Sequence, residues 1–474
     1  MRKRETLKKQ IICIVAVIMM CFCTVDFALA VNDLSTDQQT EEVYTGDEKG
    51  QDKEKTEKKK SDGKPVLGDG ETGVLVDGVS GRILYEKDGA KRMYPASTTK
   101  VMTALLAIEA IERGETSMET QIEVTKEMID GLDPDGTNIA LVEGEIMSLE
   151  RLLHGLMIPS GNDAACVIAT HIGGSISNFV DMMNKRAEEL GATETNFMNP
   201  HGLHDDEHYT TAEDMAKIAH AAMKLDKFRN IVDIVHIKIP PTNKTEQERY
   251  YISTNGLLSY MRYTDYFYKG ATGIKTGYTG KAGNCLVSSA SRNGVDLISV
   301  VFGGKTVTDS HRDSAEIFDW GFEHYTSVTV LQKNDMPGEI RVKQGRGTDY
   351  LTLYVQDSVK AIVPNGVGSD ALEMKLNVPD AVYAPIHTGD KIGTVSVMLN
   401  GEEVGGGDLF ATAEIKRSIF WPVMALGEWL WSKTIVRVIS YVAIAGVILF
   451  VITFIYGLYT NIKRAKQRRK RRIR

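Results

Sequence analysis

The chain contains few cysteines, and most of them lie in one place. There are 5 in 474 residues, and Cys13, Cys21 and Cys23 all fall in an apolar run near the N-terminus. The other two, Cys166 and Cys285, are too few for a disulfide-rich scaffold. They either form a single bridge or, as we expect, pack separately in the core as small apolar side chains. A small cross-linked domain is therefore excluded.

Apolar residues are scarce between residues 31 and 65. Asp, Glu, Lys, Gln, Thr, Ser and Gly make up nearly all of this stretch, and its run at 52–60 carries charges of both signs. Such a composition cannot bury enough apolar surface to offset the entropy lost on ordering the chain. We predict a disordered charged linker over residues 31–65, and a solvated spacer is favoured over a binding patch.

The sequence also lacks a recognisable metal or cofactor motif. His201, His204, Asp205 and His208 resemble a zinc-ligand cluster, but they do not have the His-Glu-x-x-His spacing of a helical zinc site. Residues 133–138 partly resemble a calcium-binding loop. Their side-chain oxygens have the wrong spacing and the final glutamate ligand is missing, so a turn is favoured. We therefore predict no metal and no cofactor.

The N-terminus has the three parts of a secretory signal peptide. Basic residues come first, the apolar run Ile11–Cys23 follows, and Ala28–Ala30 supplies small residues for cleavage. A membrane anchor is the alternative, but the apolar run is short for a helix that crosses a bilayer. We predict a signal peptide over residues 1–30 and a mature chain that works outside the cytoplasm.

The stretch Tyr94–Lys100 carries the first candidate catalytic residues. Pro95 suits the start of a helix, and the residues after Lys100 are apolar enough for a buried one. If the helix begins at Ser97, the side chain of Lys100 lies one turn away on the same face. The lysine can then take the proton of the serine hydroxyl, provided that its amine is neutral.

A neutral lysine requires a large shift of its pKa. Bringing that pKa from about 10.4 to near neutrality takes roughly three units, or about 4 to 5 kcal/mol, through burial or a nearby cation. A Ser-x-x-Lys pair alone is a weak signal, because a helix cap beside a surface lysine has the same spacing. The prediction of catalysis at Ser97 therefore depends on a second cation elsewhere in the chain.

Two later motifs supply the rest of a candidate site. Ser160 and Asn162 lie at a turn between two predicted helices, where a hydroxyl and an amide can point into one cleft, although ordinary turn chemistry is the default. The glycine-rich stretch Gly273–Gly280 suits an edge strand whose backbone lies against a ligand. Lys275 within it is the candidate second cation, because its charge would lower the pKa of Lys100 and attract a substrate carboxylate.

The neighbours of Lys275 complete this candidate site. The Thr276 hydroxyl can donate a hydrogen bond to the same carboxylate. The backbone N–H groups of Ser97 and Tyr278 can stabilise a developing oxyanion. Gly277 lies between Thr276 and Tyr278, and its lack of a side chain leaves the strand backbone accessible to a ligand.

The order of these motifs resembles that of the serine β-lactamases and penicillin-binding proteins. Within that group, the longer segments around the motifs resemble the D-alanyl-D-alanine carboxypeptidases, the low-molecular-mass penicillin-binding proteins of the bacterial cell wall. The segments are Tyr94–Lys100, Met157–Ala165, Asn199–Leu203 and Lys275–Thr279. The resemblance extends from about Val66 to the C-terminal membrane segment and places the histidine cluster in a loop.

The resemblance implies a β-lactamase-like catalytic domain of mixed α/β (α+β) class that acts on peptidoglycan pentapeptide stems. Ser97 would attack the carbonyl of the penultimate D-alanine, the terminal D-alanine would leave, and water would release the shortened peptide. Lys100 would accept the serine proton and Ser160 would relay protons. Asn162 would orient the peptide amide and Lys275 would bind the substrate. β-Lactam antibiotics mimic the dipeptide and are expected to acylate Ser97.

The chain departs from the family pattern in one respect. Members of the family often have an arginine soon after the last strand of this domain, but the aligned position here is Ser310, and Arg312 lies nearby.

Glu373–Asn377 looks like the deacylating motif of a β-lactamase, but it follows the Lys275 motif instead of preceding it. We predict a serine-type carboxypeptidase. The alternatives are a serine β-lactamase and a penicillin-binding sensor without peptidase activity.

After residue 325 the pattern changes to short strands. Val328–Leu331, Tyr350–Val355 and Thr394–Leu399 alternate or cluster apolar residues, and an Asn-Gly pair after the last of them signals a hairpin. We predict a catalytic domain over residues 66–325 and a small β-rich domain over residues 326–411. The resemblance makes the second domain a stalk or a partner-binding module.

The last part of the chain is typical of a membrane anchor. Residues 412–434 form an aromatic, amphipathic segment suited to a membrane interface, and Val438–Tyr459 has no charge and is long enough to span a bilayer. Residues 460–474 are strongly basic, which predicts a cytoplasmic tail and disfavours a nucleic-acid partner given the span before it. The net charge of −7 hides this contrast between an acidic ectodomain and a basic tail. We predict a single-pass protein of the cell membrane whose catalytic domain faces the wall.

Overall fold

The computed structural model describes residues 63–419 apart from 69, 134 and 135, together with residues 422, 429 and 434–471. The predicted signal peptide, nearly all of the predicted linker and most of the predicted interfacial segment lie outside the described residues. The described residues form a mixed α/β domain, a β-rich domain and a long C-terminal helix.

The helices of the described residues are labelled in chain order. They are α1 (Lys100–Glu112), α2 (Lys126–Ile129), α3 (Leu149–Met157), α4 (Asn162–Gly173), α5 (Ile176–Glu189), α6 (Ala212–Met223), α7 (Asp226–Val232), α8 (Val307–His324) and α9 (Thr434–Arg471). Two short 3-10 turns, Ala96–Thr99 and Ser369–Ala371, accompany them.

The strands are labelled in the same way. Those of the first domain are β1 (Thr72–Asp77), β2 (Ile83–Lys87), β3 (Gln121–Glu123), β4 (Ile146–Ser148), β5 (His236–Ile239), β6 (Arg249–Ile252), β7 (Ala271–Thr279), β8 (Gly283–Arg292) and β9 (Val295–Gly304). Those of the second domain are β10 (Tyr325–Leu331), β11 (Gly338–Lys343), β12 (Tyr350–Val355), β13 (Val359–Pro364), β14 (Glu373–Asn377), β15 (Val382–Tyr383), β16 (Lys391–Leu399) and β17 (Glu402–Ala411).

A five-stranded antiparallel sheet organises the first domain, in the order β2-β1-β9-β8-β7. Side chains alternate between its two faces along each strand. On β1, Val74 and Val76 pack with the large helical cluster, whereas Leu75 packs on the opposite side with Phe318 of α8. Helices therefore cover both faces of the sheet, and the predicted hairpin of β1 and β2 is confirmed at one edge.

Helix α1 lies at the centre of the helical layer. Ten of its 13 residues are buried, so it is apolar on nearly all sides, as expected of a helix surrounded by other elements. Helix α3 begins where the sequence predicts, because the Ser148 side chain accepts a hydrogen bond from Arg151 N, and it ends at Met157, just before Pro159. These two helices fix the positions from which the candidate site residues project.

The second domain is all β, as predicted, and has its own apolar core. Its main path of strands runs β10-β13-β17-β12-β11-β15, and β14 pairs with β16, which pairs with β17. Asn400 and Gly401 have φ values of 52° and 86°, which suit the tight hairpin predicted between β16 and β17. Helix α8 leads directly into β10, and Arg82 Nη2 donates to Ile362 O at 3.1 Å, so the two domains are in contact.

Helix α9 contains the predicted membrane span. Its stretch Val438–Ala465 has a mean hydropathy of 2.7 and is long and apolar enough to cross a membrane. The helix continues to Arg471, so most of the basic tail extends the same helix.

Candidate active site

The candidate nucleophile lies on the 3-10 turn that leads into α1. Ser97 belongs to the turn Ala96–Thr99, and Lys100 is the first residue of the α-helix. Pro95 precedes the turn with a φ of −75°, close to the value that its ring imposes. As a result, the side chains of Ser97 and Lys100 share a face, and Lys100 Nζ lies 2.9 Å from Ser97 Oγ.

Lys100 is fully buried, with 0% of its surface exposed. Its Nζ lies 2.7 Å from Asn162 Oδ1 and 2.7 Å from the backbone oxygen of His201. Burial, followed by the charge of Lys275, lowers the pKa of Lys100 well below its usual value. The site therefore favours the uncharged amine.

These contacts also direct the lone pair of that amine. Asn162 Oδ1 and the His201 carbonyl can only accept hydrogen bonds, so they take the two N–H groups of a neutral Lys100. The lone pair is then left for the third neighbour, the hydroxyl of Ser97. Lys100 is thus held as a proton acceptor for Ser97, which is the geometry that general-base activation of a serine requires.

A loop fixes the carbonyl of His201 in front of Lys100. Asn199 Oδ1 accepts from the backbone N–H groups of His201 and Gly202 at 3.3 and 2.6 Å. The Thr103 hydroxyl of α1 donates to Pro200 O at 2.6 Å, which ties this loop to the helix that carries Lys100. The sequence singled out this segment through its resemblance and His201 through the apparent zinc cluster, but it did not predict the carbonyl as a partner of Lys100.

Ser160 and Asn162 lie at the start of α4, which begins at Asn162. Ser160 is 6% exposed and has a φ of 76°, a left-handed conformation that residues other than glycine seldom adopt. Asn162 contacts Lys100, whereas the Ser160 hydroxyl takes part in none of the hydrogen bonds found among the described residues. The predicted proton relay through Ser160 therefore stays a prediction.

Lys275 lies on β7, at the edge of the central sheet, as the sequence predicts. It is 1% exposed, and its Nζ donates to Thr276 O at 2.9 Å. Burial, followed by the charge of Arg262, lowers the pKa of Lys275 to about 7. Near neutral pH, a substantial fraction of Lys275 therefore carries the positive charge that a substrate carboxylate needs.

The backbone of β7 lies directly against the nucleophile turn. A Cβ atom built on Gly277 would lie 3.0 Å from both Ser97 N and Pro95 O, so a larger residue would require the two backbone segments to move slightly apart. Tyr278 follows and is 67% exposed. The Thr276 hydroxyl donates to Thr254 Oγ1 at 2.6 Å. The structure thus brings the β7 motif and the Ser97 turn into one site.

The position at which family members often have an arginine is occupied here by Ser310, and Arg312 lies nearby. Ser310 is 1% exposed, and its hydroxyl donates to Val307 O at 3.1 Å. The Arg312 guanidinium is held by Asp309 and Asp313, with Nη2 to carboxylate distances of 3.0 and 2.8 Å. Ser310 carries no charge and the Arg312 guanidinium is paired, so neither residue replaces the family arginine, and Lys275 remains the cation that the sequence assigns to a terminal carboxylate.

The histidines that resemble a zinc cluster have separate hydrogen bonds. His201 Nδ1 accepts from Leu203 N at 3.1 Å, and His208 Nε2 lies 2.9 Å from Thr99 Oγ1. His204 Nε2 lies 3.2 Å from Asp206 Oδ1. Within residues 63–419 and the other described positions, no three metal-binding side chains are grouped around a common point.

The structure also bears on the apparent deacylating motif and on the two remaining cysteines. Glu373–Asn377, which looks like a deacylating motif, forms strand β14 of the second domain. Cys166 and Cys285 are both buried and unpaired, so the expectation of two separate core thiols is confirmed. Burial raises the pKa of each thiol to about 12, which keeps both protonated.

Asp163 is a structural residue that the sequence reasoning missed. It is 3% exposed, and its carboxylate accepts from Ile139 N and Leu141 N, each at 3.0 Å. These bonds tie the loop before β4 to the first turn of α4, beside Asn162. An acidic residue at a helix start was visible in the sequence, but its partners lie more than twenty residues upstream.

Two family models match the chain, one in each folded domain. Residues 59–306 match the model described as D-alanyl-D-alanine carboxypeptidase. Residues 325–417 match the model described as the C-terminal domain of penicillin-binding protein 5.

Individual relatives match over most of the chain. A D-alanyl-D-alanine carboxypeptidase of Bacillus subtilis is 30% identical over 375 residues, which are 78% of this chain and 93% of the relative. One of Haemophilus influenzae is 32% identical over 341 residues, 72% of this chain and 83% of the relative. The crystal structure of penicillin binding protein 5 from Haemophilus influenzae aligns with a TM-score of 0.54 at 30% identity and covers 73% of this chain and 97% of that one.

Proposed function

This chain belongs to the D-alanyl-D-alanine carboxypeptidase family of serine peptidases, and we propose that it trims peptidoglycan pentapeptide stems through an acyl-enzyme on Ser97. The observation that carries the proposal is the 2.9 Å contact between Ser97 Oγ and the Nζ of a fully buried Lys100. No cofactor is needed, because the nucleophile, the base and the cation all come from the chain.

Acylation begins with the terminal carboxylate of the stem beside the ammonium group of Lys275 and the hydroxyl of Thr276. Ser97 Oγ attacks the carbonyl carbon of the penultimate D-alanine while its proton passes to Lys100 Nζ. The negative charge that develops on the carbonyl oxygen is stabilised by the backbone N–H groups of Ser97 and Tyr278. The close approach of Gly277 to Ser97 N supports this pairing, because it places the two backbone segments side by side.

The peptide bond then breaks, and the two products leave in turn. The proton held by Lys100 passes to the amine of the departing D-alanine, with Ser160 as the relay. Asn162 orients the substrate amide from the same side of the site. Water then attacks the ester of Ser97 and gives a proton to Lys100. Lys100 returns that proton to Ser97 Oγ as the ester bond breaks, and the shortened stem is released.

β-Lactam antibiotics are the second class of ligand. Their strained amide takes the place of the D-alanyl-D-alanine bond, and their carboxylate takes the place of the terminal one. Attack by Ser97 opens the ring, but the leaving amine stays attached to the acyl group. A β-lactamase forms the same ester, so the two classes differ in how fast water hydrolyses it. We expect slow hydrolysis and a long-lived adduct on Ser97.

The domain plan completes the proposal. Residues 66–325 form the catalytic domain, residues 326–411 the β-rich domain, and residues 412–434 an interfacial segment. The span 438–459 anchors the enzyme in the cell membrane, and the basic residues 460–474 place the C-terminus in the cytoplasm by the positive-inside rule. The catalytic domain then faces the wall, where its substrate is.

Labelled penicillin and a pentapeptide stem test the function on the full chain in detergent. We expect a stable penicillin adduct that mass mapping assigns to Ser97, and D-alanine release from the stem. Rapid turnover of penicillin would instead indicate a β-lactamase. A stable adduct without D-alanine release would indicate a sensor, and an adduct on another residue would displace Ser97 as the nucleophile.

A further inference from the structure

His208 lies in the loop after Asn199–Leu203 and has no part in the reaction as proposed above. It is 2% exposed, and its ring lies edge-on to Phe197, with ring centroids 5.6 Å apart. Its Nδ1 accepts a hydrogen bond from Met198 N at 3.1 Å. The ring is therefore held on one side by packing and on the other by the backbone.

This backbone contact determines which nitrogen of His208 carries the proton. Because Nδ1 accepts from an N–H group, the hydrogen of the neutral ring lies on Nε2. Nε2 lies 2.9 Å from Thr99 Oγ1, so His208 donates to the threonine hydroxyl. Burial lowers the pKa of His208 to about 4, which keeps the ring neutral at physiological pH.

Thr99 passes this contact on to the residue before the nucleophile. Its hydroxyl accepts from His208 and donates to Ala96 O at 2.8 Å. Ala96 has a φ of 47°, a left-handed conformation that an alanine adopts only when its surroundings hold it there. Gly202 presses on the same carbonyl, since a Cβ atom built on it would lie 1.9 Å from Ala96 O.

The carbonyl of Ala96 and the N–H of Ser97 belong to one planar peptide group and point in opposite directions. Fixing the carbonyl therefore fixes the direction of the N–H group. This N–H is one of the two donors assigned above to the oxyanion. The hydrogen bonds from His208 through Thr99 to Ala96 O thus end at a group that contacts the reacting atoms.

We propose that His208 is a positioning residue for the oxyanion site: through Thr99 it orients the Ala96–Ser97 peptide so that the Ser97 N–H faces the attacked carbonyl. The inference rests on the proposed acyl transfer at Ser97. His208 lies outside the four segments that carry the family resemblance, and the proposal gives it a part in the chemical step. It also gives the Thr99 hydroxyl a function beyond local helix geometry.

Two substitutions of His208 separate this role from a purely structural one. The amide of glutamine occupies the place of Nε2, so His208→Gln keeps a donor for Thr99. The amide of asparagine occupies the place of Nδ1, so His208→Asn keeps an acceptor for Met198 N and loses the donor for Thr99. We expect His208→Gln to acylate nearly as fast as wild type, and His208→Asn to acylate at least about tenfold more slowly.

The measurement is stopped-flow acylation of the full chain by a fluorescent penicillin, which separates noncovalent binding from the chemical step. The loss in His208→Asn is expected in the acylation rate constant, with the binding constant unchanged. His236→Asn, at an exposed histidine of β5, is the matched control and is expected to behave as wild type. Equal rates in the two His208 variants, or the reverse order, would overturn the proposal.

Thr99→Val gives a second measurement that does not depend on how the His208 variants fold. It removes the hydroxyl with little change of volume, and we expect the same loss of acylation as in His208→Asn. The double variant with Thr99→Val and His208→Asn is expected to acylate no more slowly than the slower single variant, because both substitutions break the same chain of hydrogen bonds. Unchanged acylation in Thr99→Val would overturn the proposal. Failure of wild type to form an adduct on Ser97 would instead overturn the function on which it rests.

Discussion

The two folded domains bury different kinds of side chain. The catalytic domain buries charged and polar groups, among them Lys100, Lys275, Asp163 and His208. In the second domain, Ser396 is the one polar side chain that is buried among the described residues, and the rest of its core is apolar. Buried polar groups are costly unless they are paired, so a domain that keeps many of them either pairs them, as Asp163 is paired, or uses them in its chemistry, as we propose for Lys100.

This difference in buried side chains indicates that the catalytic residues lie in the first domain. In the catalytic domain, burial and then the charge of Lys275 lower the pKa of Lys100, which favours its action as a base. The second domain has no comparable group, and its apolar core stabilises a rigid module beside α8. A substitution at a catalytic polar side chain of the first domain should therefore change activity more than stability, and one in the apolar core of the second should do the opposite.

The largest effect on activity is expected from Ser97→Ala. It removes the nucleophile and one hydrogen bond to Lys100, so we expect no detectable penicillin adduct and a loss of at most about 1 kcal/mol of stability. Ser396→Ala is the matched change in the second domain, where the hydroxyl donates to Glu403 Oε1 at 3.1 Å. It should acylate as wild type and lose about 1 kcal/mol of stability. Labelling retained in Ser97→Ala would contradict the assignment of the nucleophile.

The next largest effect is expected from Gly277→Ala. The new methyl group would lie 3.0 Å from Ser97 N, and we expect it to move β7 away from the nucleophile turn by a few tenths of an ångström. We expect acylation to fall at least about tenfold, because small displacements of reacting groups are costly to catalysis. Gly280→Ala is the matched control, since no atom lies within 4 Å of the position of its Cβ. Similar rates in the two variants would argue against the close approach of the strand.

A smaller effect is expected from Arg262→Gln and concerns the dependence on pH. The pKa of Lys275, at about 7, is lowered first by burial and then by Arg262. Wild-type kcat/KM for the stem should therefore decline as pH rises through about 7, because Lys275 loses the charge that binds the carboxylate. Removing the charge of Arg262 raises the pKa of Lys275 and moves this decline to higher pH. Lys269→Gln on the same loop is the control, and an identical profile in both variants would exclude Arg262 as the cause.

The smallest effect on activity is expected from Leu353→Ala in the second domain. Leu353 is 0% exposed on β12, so its truncation should cost about 2 to 5 kcal/mol of stability. The acylation rate of the folded enzyme should not change. Thr352→Ala, on the exposed side of the same strand, should change neither property. A loss of acylation in folded Leu353→Ala would mean that the second domain takes part in catalysis.

Local sequence patterns predicted much of the site but not all of it. The helix signal around Pro95 placed Ser97 and Lys100 on one face, and the glycine-rich stretch correctly predicted β7 as an edge strand. The His201 carbonyl was missed because any residue carries a carbonyl, and only the folded loop aims this one at Lys100.

Other parts of the site depend on contacts between residues far apart in sequence. Asp163 could be recognised as an acidic helix start, but not as the anchor of a loop that precedes it by more than twenty residues. His208 was noticed only as part of an apparent zinc cluster, although its ring reaches Thr99 across 109 positions of sequence. A cluster of histidines in the sequence shows which residues are close along the chain, but it does not show which side chains contact each other in the fold.

The protonation state of Lys100 is the central claim, and it can be measured directly. NMR of the free enzyme with 15N-labelled lysine side chains, with the signal of Lys100 assigned by Lys100→Arg, reports whether Nζ is an amine or an ammonium group at pH 7. A neutral amine at pH 7 is the predicted result. A Lys100 ammonium group that persists above pH 9 would contradict the account.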